Sequence, residues 1–211
     1  HMALVERARE LSDVVMVSIF VNPLQFGAGE DFDRYPRTLD ADVAALDGTA
    51  DYVFAPDVNE VYPDRVGGEP VPAKHAGSVG DIFEGASRPG HFDGVLTVVA
   101  RLFDIVKPEV AVFGQKDAQQ VFLVRSMIES ENLPLRFEVL ETIREPDGLA
   151  LSSRNRYLSE EERSAALALP HALLAVAREA QHANAGAVRE VGREVFEQYP
   201  LEPCTQYALK I

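Results

Sequence analysis

Val110-Ala111-Val112-Phe113-Gly114-Gln115-Lys116-Asp117-Ala118-Gln119-Gln120 reads as a short buried strand, a sharp turn at a glycine, and the start of a helix. In parallel α/β sheets, ligands bind outside the carboxyl ends of the strands. A helix N-terminus there offers free N–H groups and a partial positive charge to phosphate. Lys116 adds a full positive charge, and Asp117 either accepts from a ribose hydroxyl or caps the helix. A capped helix with a surface lysine gives the same pattern, so the stretch alone says more about architecture than about chemistry.

The pattern repeats on both sides of it. Upstream, residues 91–106 place Val95, Val98, Val99, Leu102 and Ile105 on one helical face. Downstream come a helix over 118–130, a strand over 135–143 and a Pro146-Asp147-Gly148 turn. Ser159-x-x-Glu162 is a capping box opening a helix through about residue 181, and residues 185–198 suggest one more. Near the start, Leu4, Ala8 and Leu11 recur at helical spacing. Residues 14–21 form a nearly continuous apolar, β-branched run, as in a parallel strand covered on both faces. A long loop, 22–36, follows, of a length that is often functional. Thr38 can cap a helix carrying Leu39, Val43 and Leu46, and residues 52–55 read as a strand. The Gly- and Pro-rich stretch 56–89 reads as loops and short pieces, and residues 205–211 have strand character. Strands alternating with helices predict an α/β fold with a doubly wound parallel sheet.

The chain has 211 residues, 46% hydrophobic and 26% charged, enough for one α/β core with or without a small second domain. The formal charge of −14 repels phosphate backbones and anionic membranes, so nucleic-acid and membrane-surface roles are disfavoured. A small anionic ligand needs a local cluster of Lys and Arg instead. The single cysteine, Cys204, excludes an internal disulfide and a multi-cysteine metal site, and fits a reducing cytoplasm. The apolar run 14–21 is too short to span a bilayer, and no secretory h-region opens the chain.

Three further segments carry chemistry. Ser152-Ser153-Arg154-Asn155 sets two hydroxyls and a guanidinium in a row, which can wrap polyphosphate oxygens; a polar helix-capping loop reads the same way. In residues 18–26, a buried strand delivers Asn22 and Gln25, neutral groups suited to hydroxyls and a carboxylate, although Asn22 before Pro23 also starts an ordinary turn. Arg88-Pro-Gly-His91 leads into a helix, with Arg88 as a candidate anion contact and His91 either structural or catalytic. Asp40 and Asp42 are candidate carriers of Mg²⁺ through water, but exposed helical acids usually face solvent. His75, His171 and His182 show no metal-ligand spacing.

Four blocks together carry a resemblance: SIFVNPLQFGAGEDFDRYPRT (18–38), EGASRPGHFDGVLTVV (84–99), VFGQKDAQQ (112–120) and DGLALSSRNRYL (147–158). In their order and approximate spacing they resemble the pantothenate synthetases, of the nucleotidyltransferase superfamily, over residues 1 to about 165. The resemblance implies a Rossmann-like ATP- and pantoate-binding domain, 1–167, lacking its first strand and the start of an H-x-G-H loop. Residues 168–211 would begin a smaller C-terminal lid domain. It implies ATP-dependent condensation of pantoate with β-alanine through a pantoyl adenylate, with Mg²⁺, in a cytoplasmic homodimeric ligase of pantothenate biosynthesis. By the same resemblance His1, Lys116 and Arg154 would be catalytic, His1 as the second histidine of the H-x-G-H loop; His1-Met2 also has the form of a cloning remnant. Gly114, Gln115, Lys116, Asp117, Ile143, Leu151, Ser152, Ser153 and Arg154 would bind ATP. Asn22, Gln25, Tyr35, Arg88 and Gln120 would bind pantoate or border β-alanine. Gln115 and Leu151 replace residues often Glu and Met in the family. Without the missing parts ATP would be poorly enclosed. Another nucleotidyltransferase-fold enzyme and a nucleotide-binding module without turnover are the alternatives.

Overall fold

The computed structural model describes residues 1–27, 32, 35, 37–63 and 72–199. Cys204 and residues 205–211 lie outside them. The chain divides into two compact units, His1–Glu141 and Thr142–Ile211. It is a mixed α/β protein with small parallel sheets. Among the described residues, no helix is long and apolar enough to cross a membrane.

In the first unit, helix α1 (Met2–Leu11) leads to strand β1 (Met16–Ser18), and α2 (Leu39–Leu46) to β2 (Tyr52–Phe54). β1 and β2 pair in parallel, Met16 opposite Tyr52. Val5, Val15 and Leu46 form a small core beneath them with Val17, Ile19 and Val53. The run 14–21 is therefore not the strand covered on both faces that its composition predicts. Val15 is buried, while Val14 and Met16 are 62% and 43% exposed. One face is packed, and only the central residues keep their ladder.

The larger core lies around α5 (His91–Val106) and α6 (Ala118–Ser130). α5 has the bounds its periodicity predicts and buries Phe92, Val95, Leu96, Val98 and Val99. Each such side chain contributes about 1.5–3 kcal/mol by leaving water. Against them pack Leu123, Val124, Met127 and Ile128 of α6, with Phe113 and Phe137. These phenylalanines lie on strands β3 (Val110–Gly114) and β4 (Arg136–Leu140), which pair in parallel, Val110 opposite Arg136. Between the two strand pairs of this unit, the stretch of loops and short pieces holds α3 (Val58–Val61), a 3-10 turn (Gly77–Asp81) and α4 (Glu84–Ser87).

In the second unit, an Arg144–Ala150 antiparallel bridge and the Gly148 turn, with φ 94°, make a small hairpin. A 3-10 turn (Ser153–Tyr157) and helices α7 (Glu160–Ala166), α8 (Ala168–Glu179) and α9 (Ala185–Phe196) follow. The capping box is present: Ser159 Oγ accepts from Glu162 N, and Glu162 accepts from Ser159 N. The single helix expected from 159 to about 181 is instead broken at Leu167. Pro170 explains the break, because it lacks an N–H and its ring crowds the carbonyl four residues earlier.

Candidate active site

The first unit holds a cavity of about 300 Å³ between residues 24–27 and residues 87–89 with His91. Asn22, which is 3% exposed, stands just before Leu24 and Gln25 of that lining. Its carboxamide uses every position it has. Nδ2 donates to Gln25 Oε1 at 3.0 Å and to Gly94 O at 3.1 Å. Oδ1 accepts from Leu24 N at 3.3 Å and from Tyr62 OH at 2.8 Å. Asn22 thus caps the 3-10 turn Pro23–Gln25 and orients Gln25, leaving Gln25 Nε2 without a hydrogen bond among the described residues.

The backbone of Gln25 is held as firmly. Its carbonyl accepts from Arg88 Nη2 at 3.0 Å and lies 2.8 Å from His91 Nδ1. That contact assigns the proton to Nδ1, so Nε2, 3.1 Å from Arg88 Nη1, is the acceptor. Arg88 Nη1 also donates to Glu84 Oε1 at 2.9 Å. The result is a mostly buried guanidinium beside a free amide donor, an arrangement that suits a carboxylate and hydroxyls. Tyr35, on the same loop, sets its ring edge-on to Phe26 at 5.8 Å.

Lys116 and Asp117 stand where β3 gives way to α6. Gln115 N donates to Leu140 O at 2.8 Å, which extends the strand pair to the turn. Asp117 occupies the N-cap position of α6 but makes no side-chain cap; it pairs with Lys116 Nζ at 3.3 Å. The first N–H groups of α6 are thus left by that carboxylate for another acceptor. A Cβ at Gly114 would meet nothing within 4 Å. The side chain of Gln120, half-buried one helical step on, makes no hydrogen bond among the described residues.

In the second unit, Leu151 N donates to Ile143 O at 2.9 Å, so these two residues close the hairpin. Ser152 Oγ accepts from Arg154 N at 3.3 Å and starts the 3-10 turn that carries Ser153 and Arg154. Asn155 ties this turn to the hairpin through Glu145 Oε1 and Ala150 O, both at 3.0 Å. Arg163 clamps the hairpin from α7, to Glu145 at 2.7 Å and Asp147 at 2.5 Å. The Arg163 and Asn155 hydrogen bonds hold the Glu145 carboxyl below its ordinary range. The Leu149 N–H and Arg163 do the same for Asp147.

Gln25 and Arg88 thus line one cavity of the first unit, Asn22 bonds to Gln25 and the Tyr35 ring packs on Phe26, and Lys116, Asp117 and Gln120 share one turn of that unit. Ile143, Leu151, Ser152, Ser153 and Arg154 share one loop system of the second. His1 precedes α1, its carbonyl accepting from Leu4 N and Val5 N. Asp40 is exposed and Asp42 half-buried in the first turn of α2, where Asp42 accepts from Thr38. Among the described residues no group of three or more His, Cys, Asp and Glu could hold a metal. Sequence reasoning missed Tyr62, Glu84 and Gln119. Tyr62 is a buried phenol, its pKa pushed up by burial; an aromatic before Pro63 is the only local sign of it.

The sequence profile of pantoate-beta-alanine ligase matches residues 1–209. The chain is 65% identical over 173 residues to the pantothenate synthetase of Leifsonia xyli subsp. xyli, covering 82% of the chain and 59% of that protein. It is 59% identical over 179 residues to that of Acidothermus cellulolyticus, covering 84% and 57%. The chain therefore spans under two thirds of the length of these relatives. The crystal structure of the Thermus thermophilus pantothenate synthetase superposes with a TM-score of 0.86 at 48% identity, over 95% of this chain and 72% of that one. The Francisella tularensis pantoate-beta-alanine ligase, complexed with beta-gamma ATP and beta-alanine, gives 0.75 at 35% identity, over 92% and 72%.

Proposed function

The chain belongs to the pantoate-beta-alanine ligase family, and from that membership and its two clusters of polar groups we propose that it carries the ATP- and pantoate-binding part of a pantothenate synthetase. The pantoate carboxylate attacks the α-phosphorus of ATP, and the bond to pyrophosphate breaks. The β-alanine amine then attacks the activated acyl carbon, loses a proton, and AMP leaves. The observation that carries this reading is the Lys116–Asp117 pair at the carboxyl end of β3. It lies in the same unit as the cavity bounded by Gln25 and Arg88.

The first step joins two anions and builds charge on phosphate oxygens. Lys116 and the α6 N-terminus are suited to offset that charge; Ser152, Ser153 and Arg154 of the second unit are a further set of groups suited to phosphate oxygens. Gly114 and Gln115 let the nucleotide approach the strand end; in the second unit Ile143 and Leu151 expose apolar side chains. Gln25 Nε2, Gln120 and Arg88 hold pantoate in line, which supplies proximity. Magnesium would enter with the nucleotide, with Asp40 and Asp42 as candidate contacts through water. The finer architecture follows the family: the two parallel strand pairs belong to one doubly wound, Rossmann-like sheet. Residues from 168 onward begin a lid, and the assembly is a homodimer.

Calorimetry of the chain with ATP and with pantoate, followed by pyrophosphate–ATP isotope exchange, tests the reading. Exchange should require pantoate, and Lys116→Ala should lower it by about 10²–10³-fold with the fold intact by circular dichroism. Exchange that ignores pantoate, or survives in Lys116→Ala, would refute it. Binding of both ligands without exchange would favour a nucleotide-binding module instead.

A further inference from the structure

Gln119 neighbours Gln120 in sequence but reaches away from the strand end to a different segment. Its Nε2 donates to Val79 O at 2.7 Å and to Ile82 O at 2.9 Å. Its Oε1 accepts from Glu84 N at 3.2 Å. One side chain therefore satisfies three backbone groups on both sides of Phe83. Phe83 has φ 52° and ψ −119° and is 80% exposed. Side chains rarely adopt that backbone region, and an exposed ring gains little packing in return. Strain of this kind persists only where surrounding contacts over-determine it, and it concentrates beside functional sites.

The next residue shows what the strain secures. Glu84 follows Phe83 directly, and its carboxylate binds Arg88 at 2.9 Å. Arg88 in turn binds the Gln25 carbonyl and lines the cavity. We infer that Gln119 is a positioning residue for the carboxylate pocket. It fixes the Phe83 turn, the turn aims Glu84, and Glu84 holds the Arg88 guanidinium toward the cavity. The inference rests on the proposed reading that Arg88 faces the pantoate carboxylate, and it adds a residue that touches no substrate.

The test uses the whole chain with Gln119→Glu, which keeps the shape and the acceptor for Glu84 N but cannot donate to the two carbonyls. Two readouts are taken: the ¹⁵Nε–Hε resonance of Arg88, and affinities for pantoate and ATP by calorimetry. The variant should shift the Arg88 resonance toward that of free arginine and weaken pantoate about tenfold, with ATP affinity unchanged. In an Arg88→Ala background, Gln119→Glu should weaken pantoate no further. An unmoved Arg88 resonance would overturn the inference, as would equal losses for pantoate and ATP. Glu84→Ala cuts the same path while leaving the Glu84 N–H to Gln119, so retention of the wild-type resonance there would overturn it even if the Gln119 variant failed to fold. If the wild-type chain does not bind pantoate, the reading of the pocket fails, and the Arg88 resonance alone decides the role of Gln119.

Discussion

At the scale of single residues, Asn22 is where the fold and the site are joined. Its amide links the Pro23–Gln25 turn, the Gly94 carbonyl of α5 and the Tyr62 hydroxyl. Removing it leaves several buried groups unpaired at once, each costing about 1–3 kcal/mol. Water can reach the rim near Gln25 but not the Tyr62 hydroxyl. Asn22→Ala is therefore expected to destabilise by about 2–4 kcal/mol in urea unfolding, and Tyr62→Phe, which removes one bond, by about 1 kcal/mol. Equal costs for the two would mean that the network is not centred on Asn22. Asn22 was readable as a polar group at the end of a strand. Its saturation was not, because two of its partners lie 72 and 40 residues away. Gln119 was hidden for the same reason. Its contacts at 40, 37 and 35 residues leave no local pattern, whereas the Ser159 capping box is written within four residues.

At the scale of elements, the position of the cavity depends on how closely α5 approaches the Pro23–Gln25 turn. Gly94 makes the approach possible: a Cβ there would sit 2.2 Å from Leu24 O and 2.6 Å from Leu24 C. Backbone atoms cannot swing aside as a flexible side chain can. Gly94→Ala should gain about 1 kcal/mol in helix propensity yet lose more through forced displacement of residues 24–25, which overpacking sets at about 1–3 kcal/mol or above. The expected result is a lower Tm and a weaker pantoate affinity together; a raised Tm would show that the turn gives way freely. Elements with strong periodicity, such as α5, were legible to their ends, because an amphipathic face of this length admits one solution. β1 was over-extended because its apolar composition does not say whether one or two faces are covered. The break at Leu167 was legible in Pro170, but the capping box and the apolar spacing on both sides argued for one continuous helix.

At the scale of the whole molecule, the formal charge is −14, and several carboxylates of the described residues are paired with arginines. Asp51 is held below its ordinary range by the Val15 N–H and Arg9, Glu138 by Arg7 and Arg136, and Glu190 by Arg193. Glu145 and Asp147 are held there through Arg163 and their other donors. A carboxyl whose folded pKa is depressed binds fewer protons folded than unfolded, so stability rises with pH through that interval. Its contribution is complete above the ordinary values, 3.8 for Asp and 4.5 for Glu, and is lost as pH falls through the lower folded values. Tm should therefore be nearly flat from about pH 6 to 5 and fall below about pH 4. Arg163→Gln isolates one part of that limb, because Glu145 and Asp147 then lose their shared partner while the hairpin turn keeps its backbone bonds. The variant should be less stable than wild type at pH 6, and the gap should narrow as the pH is lowered to 3. Added salt should also narrow it at pH 6, since all three groups meet solvent and exposed pairs are screened. A gap that stays constant from pH 6 to 3 would mean that Arg163 acts through packing of its stem, not through the two carboxylates that hold the hairpin beside Ser152 and Arg154.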